Sequence, residues 1–244
     1  MSQPSNQIDF DKNPPMPISE YEQTVKSVNI GYDLTFQLTE CFLQALDKSD
    51  LRILVIGAGG GAEIERFLPQ HPGWKITGVD PSQQMLEQAQ ARVTGFHLED
   101  RVALVHGTIE QLQSETRFDA ATCLYVLHFL PDAEKLDLLR NIRDRLQPGA
   151  PLYLISAVRP TTAEINTTNS TLSADFTGAW RHYGESMGMP AERMAGIVAR
   201  LTEQMSQSQA ATADRVQELI HEAGFTQVAP FYSMLGSVYG WVAR

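Results

Sequence analysis

Glycine fills four of the five positions from Gly57 to Gly61, in the run Ile56-Gly57-Ala58-Gly59-Gly60-Gly61-Ala62. Residues without a Cβ let a backbone turn sharply and let a ligand approach it closely. A plain structural turn explains the run poorly, because glycines weaken the helix start that follows and add no packing. Asp80 lies about 20 residues further on, the distance at which a carboxylate accepts hydrogen bonds from a ribose diol. Asp80-Pro81-Ser82 also reads as a helix start, and the two roles are compatible. The pair therefore points to a cofactor carrying a nucleoside. No Cys/His/Asp spacing suggests a metal site, and no G-x-S-x-G nucleophile elbow occurs.

The elements that must position these residues follow from the hydrophobic period. Val25, Val28, Leu34, Leu38, Phe42 and Leu46 recur at helical spacing with a break near Gly31, which predicts two helices. Ile53-Leu54-Val55-Ile56 is a continuous apolar block, the pattern of a parallel strand covered on both faces. Helical and strand patterns then alternate: helix 62–68, strand 75–79, helix 82–93, strand 102–105, a short helix at 109–112, strand 118–124, helix 133–146 and strand 152–157. Such alternation predicts right-handed crossovers and a parallel sheet. The expected fold is α/β, a doubly wound, mostly parallel seven-stranded sheet with N-terminal helices and a helical lid between the fifth and sixth strands. Residues 1–48 form the arm and helices, 49–158 the Rossmann-like core and 159–210 the lid. Residues 211–244 supply a last helix and a strand pair, 228–232 and 238–243.

The 29 acidic residues outnumber 19 basic ones, for a formal charge of −10 without any Lys/Arg cluster. That field opposes a phosphate backbone, so no nucleic acid partner is expected, and a small neutral or cationic substrate is favoured. Cys41 and Cys123 read as buried free thiols, which suits a reducing compartment. The first 18 residues lack the marks of a signal peptide, and no apolar run approaches the ~20 residues of a membrane span. A cytoplasmic location, no membrane contact and a homodimer through the lid or N-terminal helices are the corresponding expectations.

The glycine run matches the G-x-G-x-G of loops that bind S-adenosylmethionine (SAM), while Ala62 also completes the G-x-G-x-x-A of dinucleotide sites. The helical preface, Leu146-Gln147-Pro148-Gly149 before the fifth strand and the closing strand pair together resemble the class I SAM-dependent methyltransferases. The resemblance spans about Lys26 to Arg244 and is strongest from Ile53 to Ile155. It implies SAM as cofactor, S-adenosylhomocysteine as product and a small-molecule methyl acceptor. Gly57, Ala58, Gly59 and Gly61 would line the methionine and ribose, and Asp80 would hold the ribose hydroxyls. Pro81 and Met85 would lie against the adenine, Gly107, Thr108 and Ile109 along its edge, and Leu124 and Tyr125 over the cofactor. Tyr32 would reach its carboxylate end. Two departures stand out: Val55 replaces an acidic residue that helps hold the amino group, and Thr108 replaces an Asp. Weaker cofactor affinity would follow.

Methyl transfer needs the nucleophile held in line with the methyl carbon, and a base when the acceptor carries a proton. His128, after the fourth strand, is the first candidate base, although a packing role suits the same residue. Trp180, Arg181, His182 and Tyr183 in the lid, with Tyr232, could wall the acceptor by cation–π contact, with Trp180 and Tyr183 as the catalytic candidates. They could equally be the lid's apolar underside, as could Met187, Met189, Met194 and Met205. Glu222-Ala223-Gly224-Phe225 and Phe231-Tyr232 are also similar to a subgroup containing carboxy-SAM synthase, in which a lid arginine binds the extra carboxylate; Arg200 or Arg181 would correspond. Three readings thus compete with the methyltransferase: an enzyme that remodels SAM, a non-catalytic SAM-binding partner subunit and a nicotinamide oxidoreductase. The last lacks a Tyr-x-x-x-Lys pair.

Overall fold

The chain folds around a central sheet in the computed structural model, which describes residues 10–12, 14, 16–113, 115–159, 171–197, 209–234 and 236–244. For residues 171–177 it describes the backbone alone. Two helices, α1 (Ile18–Val28) and α2 (Tyr32–Gln44), precede strand β1 (Arg52–Ile56). Then follow α3 (Ala62–Phe67), β2 (Lys75–Asp80), α4 (Gln83–Gly95), β3 (Val102–His106), β4 (Ala120–Leu124), α5 (Asp132–Arg145) and β5 (Leu152–Ala157). Short 3-10 turns at Ile109–Gln111 and Leu127–Phe129 flank β4. Helix α6 (Thr171–Ser186), a helical segment at 191–197 and α7 (Ala213–Glu222) lead to β6 (Val228–Met234) and β7 (Val238–Ala243).

The described strands form one sheet of seven, in the order β3-β2-β1-β4-β5-β7-β6. Strands β1 to β5 run parallel; β7 is antiparallel to both β5 and β6. The doubly wound sheet expected from the alternation is present, and its strand pair closes one edge. Both faces are covered, which explains the unbroken apolar run of β1. Ile53 and Val55 pack with Phe67, Leu86 and Ala89 of α3 and α4 on one side. Leu54 and Ile56 pack with Leu139, Ile142, Leu219 and Trp241 on the other.

Helix α2 is turned relative to the face read from its apolar residues. Thr35, Phe36, Thr39 and Leu43 face inward, while Leu34 is 46% exposed. Burial of the two threonines is possible because their hydroxyls donate to backbone carbonyls, Thr35 to Tyr32 at 2.6 Å and Thr39 to Thr35 at 2.8 Å. The same rotation exposes Cys41, against expectation; Cys123 on β4 is buried.

Helix α6 docks on α1. Trp180 Nε1 donates to the Val28 carbonyl, and the Tyr183 hydroxyl donates to the Lys26 carbonyl at 3.3 Å. These carbonyls belong to the last turn of α1, where no intrahelical partner exists. Arg193 adds an ion pair to Glu20 at 2.8 Å. Met194 is fully buried against Gly184, so it packs the 191–197 segment against α6. Arg200, Met205 and most of the polar 161–173 stretch lie outside the described residues. Among the described residues no helix is long and apolar enough to cross a membrane, and no cluster of His, Cys, Asp or Glu could hold a metal ion.

Trp241, 1% exposed at the centre of the core, and Leu34 on the surface give contrasting expectations. Trp241→Ala should lose about 3–5 kcal/mol in urea unfolding and Leu34→Ala no more than about 0.5. Similar losses for both would contradict this assignment of the core.

Candidate functional site

In the strand order, the chain moves away from β1 in both directions, so β1 and β4 bound the point where the winding reverses. Ligands of doubly wound sheets gather beside such points, outside the carboxyl ends of the strands. The glycine bend leaves β1 here. Gly57 and Ala58 donate their N–H groups to Val79 O at 2.9 and 3.0 Å, pinning the bend to β2. Gly57, Gly59 and Gly61 have φ of 68°, 49° and 87°, in the left-handed region that a side chain disfavours. Gly57 is also fixed by space, because a Cβ there would lie 2.3 Å from Val126 Cγ2.

Asp80 closes the pocket from β2. Its Oδ2 accepts from Gly59 N at 2.8 Å and its Oδ1 from Ser82 N at 2.9 Å. Burial, together with nearby Asp11, pushes its carboxyl above the usual range, despite those two hydrogen bonds. Ser82, not Asp80, caps α4, its Oγ accepting from Met85 N at 3.2 Å. Asp11 from the N-terminal arm accepts from Ser82 Oγ and from Gln83 N and Gln84 N, at 2.6, 3.0 and 3.1 Å.

The opposite wall is aromatic. Tyr32 stacks on Tyr125 with centroids 5.2 Å apart, and Phe36 lies 4.8 Å from Tyr32. Tyr125 holds φ 62°, a conformation that costs energy for a residue with a side chain and is kept only by its surroundings. Its N–H donates to Ile155 O at 2.7 Å and its hydroxyl lies 3.2 Å from Thr35 Oγ1. Since the Thr35 proton goes to Tyr32 O, Tyr125 is the donor. Phe10 packs edge-on against Tyr21 and Phe129 across the mouth.

One pocket brings together Tyr32, Gly57, Ala58, Gly59, Asp80, Pro81, Met85, Leu124 and Tyr125 from the residues read out of the sequence. Gly61, Gly107, Thr108 and Ile109 do not line it. Gly61 caps α3, and Gly107 N donates to Asp80 O at 2.9 Å. Thr108 is tied to Gln111 in a capping box, and Ile109 is buried in the core.

The three catalytic candidates are elsewhere. Trp180 and Tyr183 spend their polar tips on α1. His128 lies in the turn after β4, tilted on Phe129 at 4.2 Å, with its buried Nδ1 lacking a hydrogen-bond partner among the described residues. Burial and the neighbouring Lys135 charge push its imidazole down to about 4. A group so acidic when protonated is a poor proton acceptor at neutral pH. Arg181 is half exposed and 3.9 Å from Glu185, away from the pocket.

Glu63 lines the pocket, and the sequence reading missed it. It is 4% exposed, and Thr122 Oγ1 on β4 donates to its Oε1 at 3.5 Å. Burial pushes its carboxyl up to about 8. In sequence, an acidic residue in the first turn of a helix reads as compensation for the helix dipole, and nothing marks it as buried. Arg92 at the rim is paired with Glu22 and, at 3.0 Å, with Glu65. Burial favours the neutral form of Glu22, yet hydrogen bonds from Lys26 and Arg92 outweigh this and hold its carboxyl below the usual range.

Residues 54–152 match the family described as a methyltransferase domain. The chain is 30% identical over 131 residues to the mitochondrial ubiquinone biosynthesis O-methyltransferase of Schizosaccharomyces pombe, covering 53% of this chain and 46% of that protein. It is 33% identical over 128 residues to the carboxy-S-adenosyl-L-methionine synthase of Aeromonas salmonicida, with 51% of each covered. The chain thus spans about half the length of the curated relatives it matches. Among solved structures, magnesium protoporphyrin IX methyltransferase of Synechocystis with bound SAH superposes with a TM-score of 0.60 at 14% identity, over 90% of this chain and 86% of that one. An O-methyltransferase-like protein of Nostoc punctiforme gives 0.58 at 18% identity, over 86% and 56%. At these identities the likeness is one of fold.

Two outcomes test the site's geometry. Gly57→Ala should destabilise the protein by more than about 1 kcal/mol, and adding Val126→Ala should recover only the steric part, since the positive φ remains. Full recovery on unfolding would contradict the role given to φ. For Glu63, a carboxyl raised from 4.5 to about 8 contributes stability that is complete below pH 4.5 and lost as pH rises through 8. The melting temperature of the ligand-free protein should fall between pH 5 and 8, and less so in Glu63→Gln, with the raised Asp80 leaving a residual slope. Parallel slopes by calorimetry would contradict it.

Proposed function

We propose that this chain, whose residues 54–152 match the methyltransferase-domain family, transfers a methyl group from SAM to a small-molecule acceptor. The observation that carries the reading is the 2.8 Å hydrogen bond between Asp80 and Gly59, which makes the glycine bend and the carboxylate parts of one pocket. The pocket's residues fit the cofactor. Gly57, Gly59 and Gly60 present bare backbone to the pocket, so a ligand can approach the chain closely there. Asp80 has two hydrogen bonds, and a carboxylate has about four acceptor sites, so capacity remains for a ribose diol. Met85 and Pro81 offer an apolar shelf for a base.

When bound, SAM supplies a methyl carbon on a positively charged sulfur that is already a good leaving group. The chain's own task is to hold an acceptor atom about 3 Å away and to exclude water. Tyr32, Phe36, Tyr125 and Phe129 form an apolar, aromatic wall suited to a planar or hydrophobic acceptor. Burial pushes the Tyr21 phenol up to about 12, and the Tyr32 and Tyr125 phenols are also raised. These groups donate hydrogen bonds and do not take protons near pH 7. The acceptor is therefore one that delivers its nucleophilic atom without help from a phenolate, such as an amine, a thiolate or an acidic enol or phenol. Arg92 is doubly paired, so the described lining offers an anionic acceptor no spare cation.

The likeness to a carboxy-SAM synthase favours one second reading, in which the chain remodels SAM itself. Mass spectrometry separates the two: S-adenosylhomocysteine should form from SAM only when a methyl acceptor is added, whereas a ligand copurifying with the chain at the mass of a carboxylated SAM would support the second. Titration calorimetry should detect SAM and S-adenosylhomocysteine. Asp80→Asn should weaken both, and also 5′-methylthioadenosine, by about 10- to 100-fold, because all three carry the ribose diol. A protein that binds none of them is not a methyltransferase of this kind.

A further inference from the structure

The pocket holds a second buried carboxylate that the ribose does not use. Resting on the SAM reading, we propose that Glu63 is the anionic partner of the α-ammonium group of the cofactor's amino-acid end. Three observations carry this. First, Glu63 faces the pocket while 4% exposed, and among the described residues no cationic side chain pairs with it. Its contacts are the neutral Thr122 hydroxyl and its own amide. A carboxylate kept in such a place costs stability unless a cation or several donors meet it.

Second, the sheet order separates the two carboxylates. Asp80 ends β2, and Glu63 reaches Thr122 on β4, with β1 between. Two strand spacings are roughly 10 Å. A nucleoside held by its sugar at Asp80 would extend its 5′ substituent across the glycine bend toward β4, and Glu63 is at the end of that path. Third, the neighbours on the other side are uncharged. Tyr32 of α2, whose phenol is raised by burial and then by Glu63, and Cys123 of β4, raised for the same two reasons, both stay protonated. The Asp80 charge, across β1, disfavours a second negative charge at Glu63.

A bound ammonium reverses this balance. The ligand-free carboxyl, pushed up to about 8 by burial, is largely protonated at pH 7, and it ionises when the cation arrives. Binding of an ammonium-bearing ligand should therefore release close to one proton at pH 7.

The test compares three probes on the full chain by titration calorimetry. SAM carries ammonium and sulfonium, S-adenosylhomocysteine carries the ammonium alone, and 5′-methylthioadenosine carries neither. Glu63→Gln, nearly isosteric, should weaken SAM and S-adenosylhomocysteine by about 10- to 100-fold and leave methylthioadenosine within about twofold. The retained methylthioadenosine affinity also reports that the variant is folded. In buffers of different ionisation enthalpy, the proton released by S-adenosylhomocysteine should vanish in the variant. Glu63→Asp, with charge kept but reach shortened, should show an intermediate loss. Equal loss for all three probes would assign Glu63 a structural role, and loss for SAM alone would assign it to the sulfonium; either overturns the proposal. Failure of the wild-type chain to bind any probe would instead remove the SAM reading itself.

Discussion

One contact organises the functional end of the molecule: the hydrogen bond from Gly59 N to the Asp80 carboxylate. It joins a bend leaving β1 to the last residue of β2, and each partner depends on the other. Without the carboxylate, a backbone N–H in a left-handed bend would have no protein partner. Without the bend, Asp80 would be a buried anion with half its hydrogen bonds missing. The parallel register of β1 and β2, Ile56 opposite Val79, sets both at the same height. The remaining walls are then hung on this joint, with Ser82 and Asp11 closing the α4 side and Tyr125 the β4 side.

Backbone strain and buried carboxylates meet at this place. Tyr125 is held at positive φ, and Asp80 and Glu63 have carboxyls raised by burial. Core packing on both faces of the sheet supports such costs, since interactions of large apolar residues such as Trp241 and Phe67 fix the strands that carry the site. The N-terminal arm and α6 are attached differently, by hydrogen bonds to helix ends. Tyr183 and Trp180 complete the last turn of α1, and Asp11 completes the first turn of α4.

The sheet was legible because its signals are local. Ile53 to Ile56 could only be a doubly covered strand, and a glycine bend followed by a carboxylate at the next strand end is a spacing that the backbone itself enforces. Most of the residues that the family resemblance implied as cofactor-binding meet in one pocket. What was hidden depends on direction rather than spacing. Helix α2 buries Thr35 and Thr39, which look polar, and exposes Leu34 and Cys41, which do not. Trp180, Tyr183 and His128 carry the right chemistry for catalysis, but Trp180 and Tyr183 are turned to α1 carbonyls distant in sequence, and His128 is buried against Phe129. Glu63 illustrates the converse: an ordinary surface residue by position, drawn inside by a threonine on a strand 59 residues away.

The most direct measurement is a crystal structure with S-adenosylhomocysteine. The account predicts both ribose hydroxyls within hydrogen-bond distance of Asp80, with the 5′ substituent passing over Gly57 to Gly59. A nucleoside found elsewhere, or bound at the bend with its sugar turned away from Asp80, would contradict it.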